Sequence, residues 1–528
     1  MRVTGMRAGA AALAAAMTLA ATPAAAAPVR VRVRDAASGA AIAARVYLWR
    51  GNDVLLPAGF PSYDRGPERH FLVTGDFILD LDPGEYHLRL ERGHEYVPVD
   101  LALTVPGVAD TVDARLTRGI DLARAGWYSA DMHVHRDPAD LPLILQAEDL
   151  AFAPTITSHV WSGEVSQPWK PKPEFVSAAG PGRFFTSNGQ EIERIQGGPG
   201  AVILLGRVVP LPFAGDELFP PSSLFARAVK ERGGFVEGDK PFWVDVFVNA
   251  LLGYLDAVEI NCNHFMPRNV DTDLSPWSHW PIEFGYRGGR GFAEWMMATY
   301  YRLLNAGVEL PLSAGTANGV KPGPVGFERV YVHRDGGVID YDGFIDALRA
   351  GRSFSTNGPM LDFEVDDQPA AGARIALEPD RTYRVRARAQ WRSELERLQL
   401  VVNGAVVAEQ VARPPLGGRA GSLTLEYPLR LAKSSWIAVR AFARMPERPA
   451  WEAAPVIFAH SSPAYIRLPG TLVLERRSLE QLLVQANQLV AHVAGLDGFR
   501  RASDRDETLA LYRSARDLIA SRLALSSR

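Results

Sequence analysis

Val29, Val31 and Val33 alternate with arginines, and Phe77, Leu79 and Leu81 alternate with more polar neighbours until Pro83-Gly84 turns the chain toward Tyr86, Leu88 and Leu90. A period of two marks a half-buried strand, so residues 27–118 are expected to form an all-β unit, a small sandwich. After Gly126 short apolar runs alternate with amphipathic stretches. Strands are expected at 127–132, 150–157, 184–189, 234–237, 257–260, 310–314 and 330–332, and helices at 224–231 and 292–305. Repeated βα units of this kind predict a parallel (β/α) barrel of seven strands over residues 119–360. Period two returns at Tyr383, Val385, Ala387 and Ala389, and Asn403-Gly404 between apolar runs signals a hairpin. A second β-sandwich is therefore expected over 361–468. The last stretch, 469–528, reads as a short helical tail, with Ser478/Gln481 and Ser503/Asp506 in capping-box spacing.

The first residues change this picture. Arg2 and Arg7 precede an apolar run, and Ala24, Ala25 and Ala26 follow it. That is the layout of a signal peptide, expected over residues 1–26, and it places the protein in the periplasm or outside the cell. No later run reaches the roughly 20 apolar residues of a membrane span, so no transmembrane anchor is expected after cleavage. The 57 basic and 60 acidic residues give a formal charge of −3, which argues against nucleic acid as a partner. Cys262 is the single cysteine, so an internal disulfide is excluded and the cores alone must hold the fold.

Candidate chemistry collects where the expected strands end. Asp131, His133 and His135 close the first, His159 the second and Glu191 the third. Lys240 follows the fourth, and Asn261 and His264 follow the fifth. Strand ends of a parallel barrel converge on one face, so these residues are expected to surround one cavity. His133 and His135, two apart on extended chain, point to the same side and can grip one ion, with Glu191 completing the site. Imidazole and carboxylate suit Zn²⁺, Mn²⁺ or Fe²⁺, and an ion there lowers the pKa of a water bound to it and polarises the scissile group. Four of the 11 histidines fall at these positions, which random scatter does not favour. No Gly-x-Ser-x-Gly elbow and no phosphate-binding Gly-x-x-x-x-Gly-Lys-Ser/Thr loop occurs.

The stretch Gly126-Trp127-Tyr128-Ser129-Ala130-Asp131-Met132-His133-Val134-His135 resembles the opening motif of the CehA/McbA family, part of the polymerase and histidinol phosphatase (PHP) superfamily of metallohydrolases. Thr157-Ser158-His159 is similar to the family's Thr-Asp-His, and Gly189-Gln190-Glu191 to the stretch with its bridging glutamate. The run from Gly351-Arg352-Ser353-Phe354 to Thr356-Asn357-Gly358-Pro359 resembles the C-terminal signature. The resemblance spans about half the chain. It implies a PHP-type barrel, with His133, His135 and Glu191 serving one metal and Asp140 and His159 another. The N-terminal unit is similar to carboxypeptidase regulatory-like modules. Two departures stand out: Lys240-Pro241 replaces a His-Pro, and Gly315-Thr316-Ala317-Asn318-Gly319 replaces Ser-Asp-x-His, so that Ala317 and Gly319 stand where two ligands belong.

The expectation is an exported hydrolase with one or two divalent transition-metal ions. It would act through a metal-bound water on an ester, phosphoester, carbamate or amide bond of a small-molecule or carbohydrate-like substrate. His133, His135, Glu191, Asp131, Asp140, His159 and His264 are the candidate ligands, and His159 and Lys240 the candidates for stabilising developing charge. Lys240 also reads as a salt-bridged scaffold residue. The alternative function is a non-catalytic PHP-like scaffold that binds carbohydrate or another surface ligand, to which Trp277, Trp280, Phe284 and Tyr286 would add a stacking surface. Arg268 and Arg329 read either as anion binders or as structural ion pairs.

Overall fold

The computed structural model describes residues 26–526 except 107–110, 162, 195–199, 208–209, 268–269, 275–277, 414–420 and 445–455. The leader expected at residues 1–26 thus lies almost wholly outside the described residues, as do Arg268 and Trp277. The fold is mixed α/β and rich in sheet, with a helical tail at its C-terminus.

The alternation in the first hundred residues translates directly into sheet. Ala27–Asp35 lies between Phe77–Leu81, antiparallel, and Thr111–Arg118, parallel. A second sheet runs in the order Ser62–Arg65, Glu68–Val73, Ala44–Arg50, Gly84–Glu91, Val99–Val105. Val29, Val31 and Val33 share one apolar core with Phe71, Leu88 and Leu90 of that second sheet. Burying these faces stabilises the unit, in a chain whose single cysteine, Cys262, leaves no internal disulfide to help.

The central part contains, in order, β1 (Trp127–Ala130), α1 (Leu141–Ala147), β2 (Phe152–Trp161), β3 (Arg183–Glu193), β4 (Ala201–Leu205), α2 (Ser222–Lys230), β5 (Phe235–Gly238), α3 (Val246–Leu251), β6 (Ala257–Cys262), α4 (Gly288–Asn305), β7 (Leu312–Gly315), β8 (Arg329–His333), α5 (Tyr341–Arg349) and β9 (Ser353–Thr356). Pairing runs from β1 through β2, β3, β4, β5 and β6 to β7. It then returns to its start. Met132 N donates to Ala314 O at 3.0 Å and His135 N to Asn318 O at 2.7 Å, while Val134 bridges both Thr155 and Asn318. The closed circuit brings the residues after β1, β2, β5, β6 and β7 to one mouth.

This circuit differs from the all-parallel expectation. β4, an apolar and fully buried Ala-Val-Ile-Leu-Leu run outside the seven expected strands, is antiparallel to both neighbours. β8, expected as the seventh member, instead runs antiparallel against β1 and β9. A lone antiparallel insertion leaves no periodic signature, because a short continuous apolar run reads alike as strand or helix.

The C-terminal strands are not set apart by a break in pairing. Phe354, Ser355 and Thr356 of β9 pair with Ser461, His460 and Ala459. The Asn403-Gly404 hairpin forms as expected, with φ of 48° and 92°, the positive pair that a tight type I′ turn requires. Helices α6 (Arg476–Ala494) and α7 (Ala502–Leu525) close the chain. Their cap positions are Glu475 and Arg501, neither with a side-chain cap bond, so the expected capping boxes at Ser478 and Ser503 fall inside the first turns. Ser478 instead accepts a hydrogen bond from Asn305 Nδ2 at 3.1 Å. Among the described residues no helix is long and apolar enough to cross a membrane.

Candidate metal centre

Three side chains meet where β1, β2 and β3 open onto the mouth. His133 Nε2 stands 3.1 Å from His135 Nε2 and 3.4 Å from Glu191 Oε1. His135 Nε2 stands 3.1 Å from Glu191 Oε2. His159 Nε2 lies 3.3 Å from the same oxygen, because His159 and Glu191 are direct neighbours across the β2–β3 pair. Two ligand atoms each about 2.1 Å from an ion at the tetrahedral angle are roughly 3.4 Å apart, so the spacing of His133, His135 and Glu191 is that of a ligand set. The donors, two imidazoles and a carboxylate, are those of a zinc, manganese or iron site, and all three are buried. These residues fit a divalent transition ion.

The other ring nitrogen of His133 explains its orientation. Nδ1 donates to Glu259 Oε1 at 3.2 Å, and Asp239 Oδ1 lies 3.5 Å away. A histidine whose second nitrogen is held by a carboxylate presents Nε2 as a fixed, more basic ligand atom. Glu259 and Asp239 therefore support His133 from behind. Glu193, two residues beyond Glu191 and on the same face of β3, lies 3.7 Å from His159 Nε2 and joins His159 and Glu191 in a second cluster. None of these three carboxylates was expected. The period-two relation of Glu193 to Glu191 was readable in the sequence. Asp239 is the neighbour of Lys240, and Glu259 is flanked by the apolar Val258 and Ile260.

Burial works against every charge here, and the neighbours decide each outcome. It pulls the His133 imidazole down, but Glu191 and Glu259 override it and hold the ring well above its ordinary value. His135 has no such surplus, and burial takes it down to about 4 despite Glu191. Burial pushes Glu191 up, yet His133 and His159 bring it well below the usual carboxylate range. Glu259 is raised to about 7 by burial, against the opposing pull of His133. The cluster is thus one ionised carboxylate among three imidazoles that compete for it.

Lys240 sits in the same wall, buried, with its ammonium donating to Asp239 Oδ1. Burial opposes its charge, but Asp239 and Glu259 keep its pKa above the ordinary lysine value. Trp243 Nε1 donates to the other oxygen of Asp239 at 2.9 Å. Both readings of Lys240 made from the sequence fit this geometry: it is ion-paired, and it lines the cavity that holds the histidines.

Other candidates lie apart from the ligand set. Asp131 is saturated: Oδ1 accepts from His133 N and Thr316 N, both at 3.1 Å, and Oδ2 from Thr316 Oγ1 at 2.5 Å and Gly326 N at 2.8 Å. Four donors leave it a positioning role, tying β1 to the residues after β7. Asp140, just before α1, is half exposed and pairs with Arg136 at 2.7 Å, outside the converging groups. His264 lines the cavity, but its Nδ1 donates to Asp271 O at 2.6 Å, and burial beside Lys240 depresses it to about 3. Arg329 is structural, donating to Gly326 O at 2.5 Å and Glu148 O at 3.3 Å. Cys262 is buried and burial pushes its thiol up, the state of an inert core cysteine.

The cavity has a volume of about 600 Å³ and is walled by Trp161, Trp243, Asn263 and Lys321 besides the histidines. Its floor is fixed by the loop after β7, where Gly319 has a φ of 106° and a Cβ would strike the carbonyl of His135. A histidine at position 319 is therefore sterically excluded in this backbone. The N-terminal sheet holds the loop from outside: Arg65 donates to Gly319 O at 2.7 Å, and Arg136 lies over the Tyr63 ring.

No family profile matches this chain, and no curated protein matches it. Among solved structures a polysaccharide lyase aligns over 88% of this chain at 9% identity, with a TM-score of 0.14. The chain spans 43% of that protein's length, and at this score the likeness carries no argument about fold or function.

Proposed function

We propose that this chain is an exported metal-dependent hydrolase with a PHP-type barrel of the CehA/McbA kind, acting on an ester, phosphoester, carbamate or amide bond. The observation that carries the reading is the convergence of His133 Nε2, His135 Nε2 and Glu191 at ligand spacing, with His133 braced by Glu259. These three residues would hold the ion. A bound divalent ion supplies Lewis acidity and a water activated near neutral pH. Glu259 fixes the His133 ring. His159, between Glu191 and Glu193, is placed to hold and pass a proton at Nε2. The Lys240 ammonium adds positive potential to the wall where negative charge develops, and Trp161 and Trp243 bound the space left for substrate.

One specific observation favours a second reading. The buried Lys240–Asp239 pair stands where the resemblance calls for a histidine ligand, as in a barrel retained as a binding scaffold. The two readings part on a simple assay. Chelator-stripped protein reloaded with Zn²⁺ or Mn²⁺ should hydrolyse activated nitrophenyl esters or phosphoesters, and His133→Ala should abolish this. Metal-independent turnover, or turnover untouched in the variant, refutes the hydrolase.

A further inference from the structure

A second cavity, of about 530 Å³, lies at the other end of β1. Trp127 opens the strand there, six residues before His133, a distance of roughly 20 Å along extended chain. Its volume is within the range of small-ligand sites. Its apolar walls come from Trp127, Phe354 and Met360. Trp127 is set edge-on against Phe354, with ring centroids 4.9 Å apart. Three arginines surround these walls: Arg352, Arg374 and Arg388. Arg374 is paired with Glu309 at 2.8 Å. The hydrogen bonds of the others go to uncharged groups: Arg352 donates to the carbonyl of His333 at 3.3 Å and Arg388 to the hydroxyl of Ser422 at 3.2 Å, with Asp362 also lining the cavity. Among the described residues neither forms an ion pair, although Asp362 stands opposite Arg388 in the strand register. Trp127 and Phe354 belong to the opening and closing sequence motifs, as does Arg352, yet none of the three reaches the metal centre.

We infer that this cavity is a binding site for a small organic anion with an apolar body, its acid group on Arg352 and Arg388 and its body against Trp127, Phe354 and Met360. Two guanidinium groups without carboxylate partners beside an apolar floor select for such a ligand: an uncharged apolar molecule leaves the arginines unpaired, and an inorganic anion leaves the floor empty. The site is independent of the metal and of the proposed hydrolysis.

The test uses 8-anilinonaphthalene-1-sulfonate as a fluorescent probe on the native protein, with decanoate and decanol as competitors. The inference predicts saturable binding at one site, displaced by decanoate but not by decanol. Binding should be about tenfold or more weaker in an Arg352→Gln/Arg388→Gln double variant of unchanged melting temperature, and unaffected by EDTA or His133→Ala. Absence of saturable binding overturns it. So does equal binding by the double variant, equal displacement by decanol, or loss of binding with EDTA, which would move the probe to the metal cavity. Both substitutions are at exposed positions, so loss of folding does not confuse the result.

Discussion

The phenol of Tyr63, in the N-terminal sheet, donates to the carbonyl of Lys321 at 2.8 Å and accepts from Gly319 N at 3.0 Å. Lys321 lines the cavity of the candidate metal centre, and the chain just before it holds His135 through Asn318. The N-terminal β unit, whose sequence gave no hint of chemistry, thus clamps the loop that shapes the site. Tyr63→Phe leaves a part-buried N–H and a carbonyl without their partner, a cost of about 1–2 kcal/mol. The expected outcome is a melting temperature a few degrees lower and weaker metal binding in a chelator competition. Unchanged metal affinity would show that the clamp serves folding alone.

Glu259 bears on the centre by accepting from His133 Nδ1 at 3.2 Å. Glu259→Gln keeps the shape of the side chain and removes the charge that orients and enriches the imidazole. Metal affinity should fall about 10- to 100-fold, read by the same competition, with little change in secondary structure. Full affinity in this variant would mean that His133 is not a ligand through Nε2.

The Lys240–Asp239 pair separates a structural contribution from a functional one. Lys240→Met strands a buried carboxylate, and unfolding by urea should show a loss of about 3–5 kcal/mol. The double variant Lys240→Met/Asp239→Asn removes both charges and should recover most of it. If the double variant is stable but inactive on a substrate turned over by the native protein, the ammonium takes part in the reaction.

Acid stability should report a histidine that does not line the cavity. His460 is fully buried, donates from Nδ1 to Ser461 O at 2.7 Å and meets the hydroxyl of Tyr301 at 2.6 Å through Nε2. Burial takes it from 6.5 down to about 3. The unfolded chain binds this proton below pH 6.5 and the native protein does not, so the stability contributed is full above 6.5 and is lost as pH falls toward 3. The loss is about 1.4 kcal/mol per pH unit from this residue. Replacing His460 with Gln should flatten the decline of the urea midpoint between pH 6 and 4; an unaltered slope would contradict a neutral buried ring.

Much of this is legible in the sequence. His133, His135, His159 and Glu191 were found by one rule, that the ends of successive strands share a mouth, and the rule needs only approximate boundaries. The N-terminal and C-terminal strands were visible because one buried face enforces a period of two. What escaped was whatever lacks a period. β4 is a short apolar run with no alternation, and its direction depends on pairing across the ring. Glu259 and Asp239 are meaningful only once folding puts them behind His133. Asp131 stands with the histidines at a strand end, but four donors, three of them from residues nearly 200 positions away, claim its oxygens. Sequence shows which groups are present; which of them are already satisfied is a property of tertiary contacts.

The most direct test of the account is the metal content of protein beginning at Ala27 and prepared without a polyhistidine tag, measured by elemental mass spectrometry beside His133→Ala and Glu191→Gln. The account predicts about one tightly held zinc, manganese or iron per chain, lost in both variants. Native protein that takes up no transition metal, even after incubation with Zn²⁺ and Mn²⁺, would contradict it.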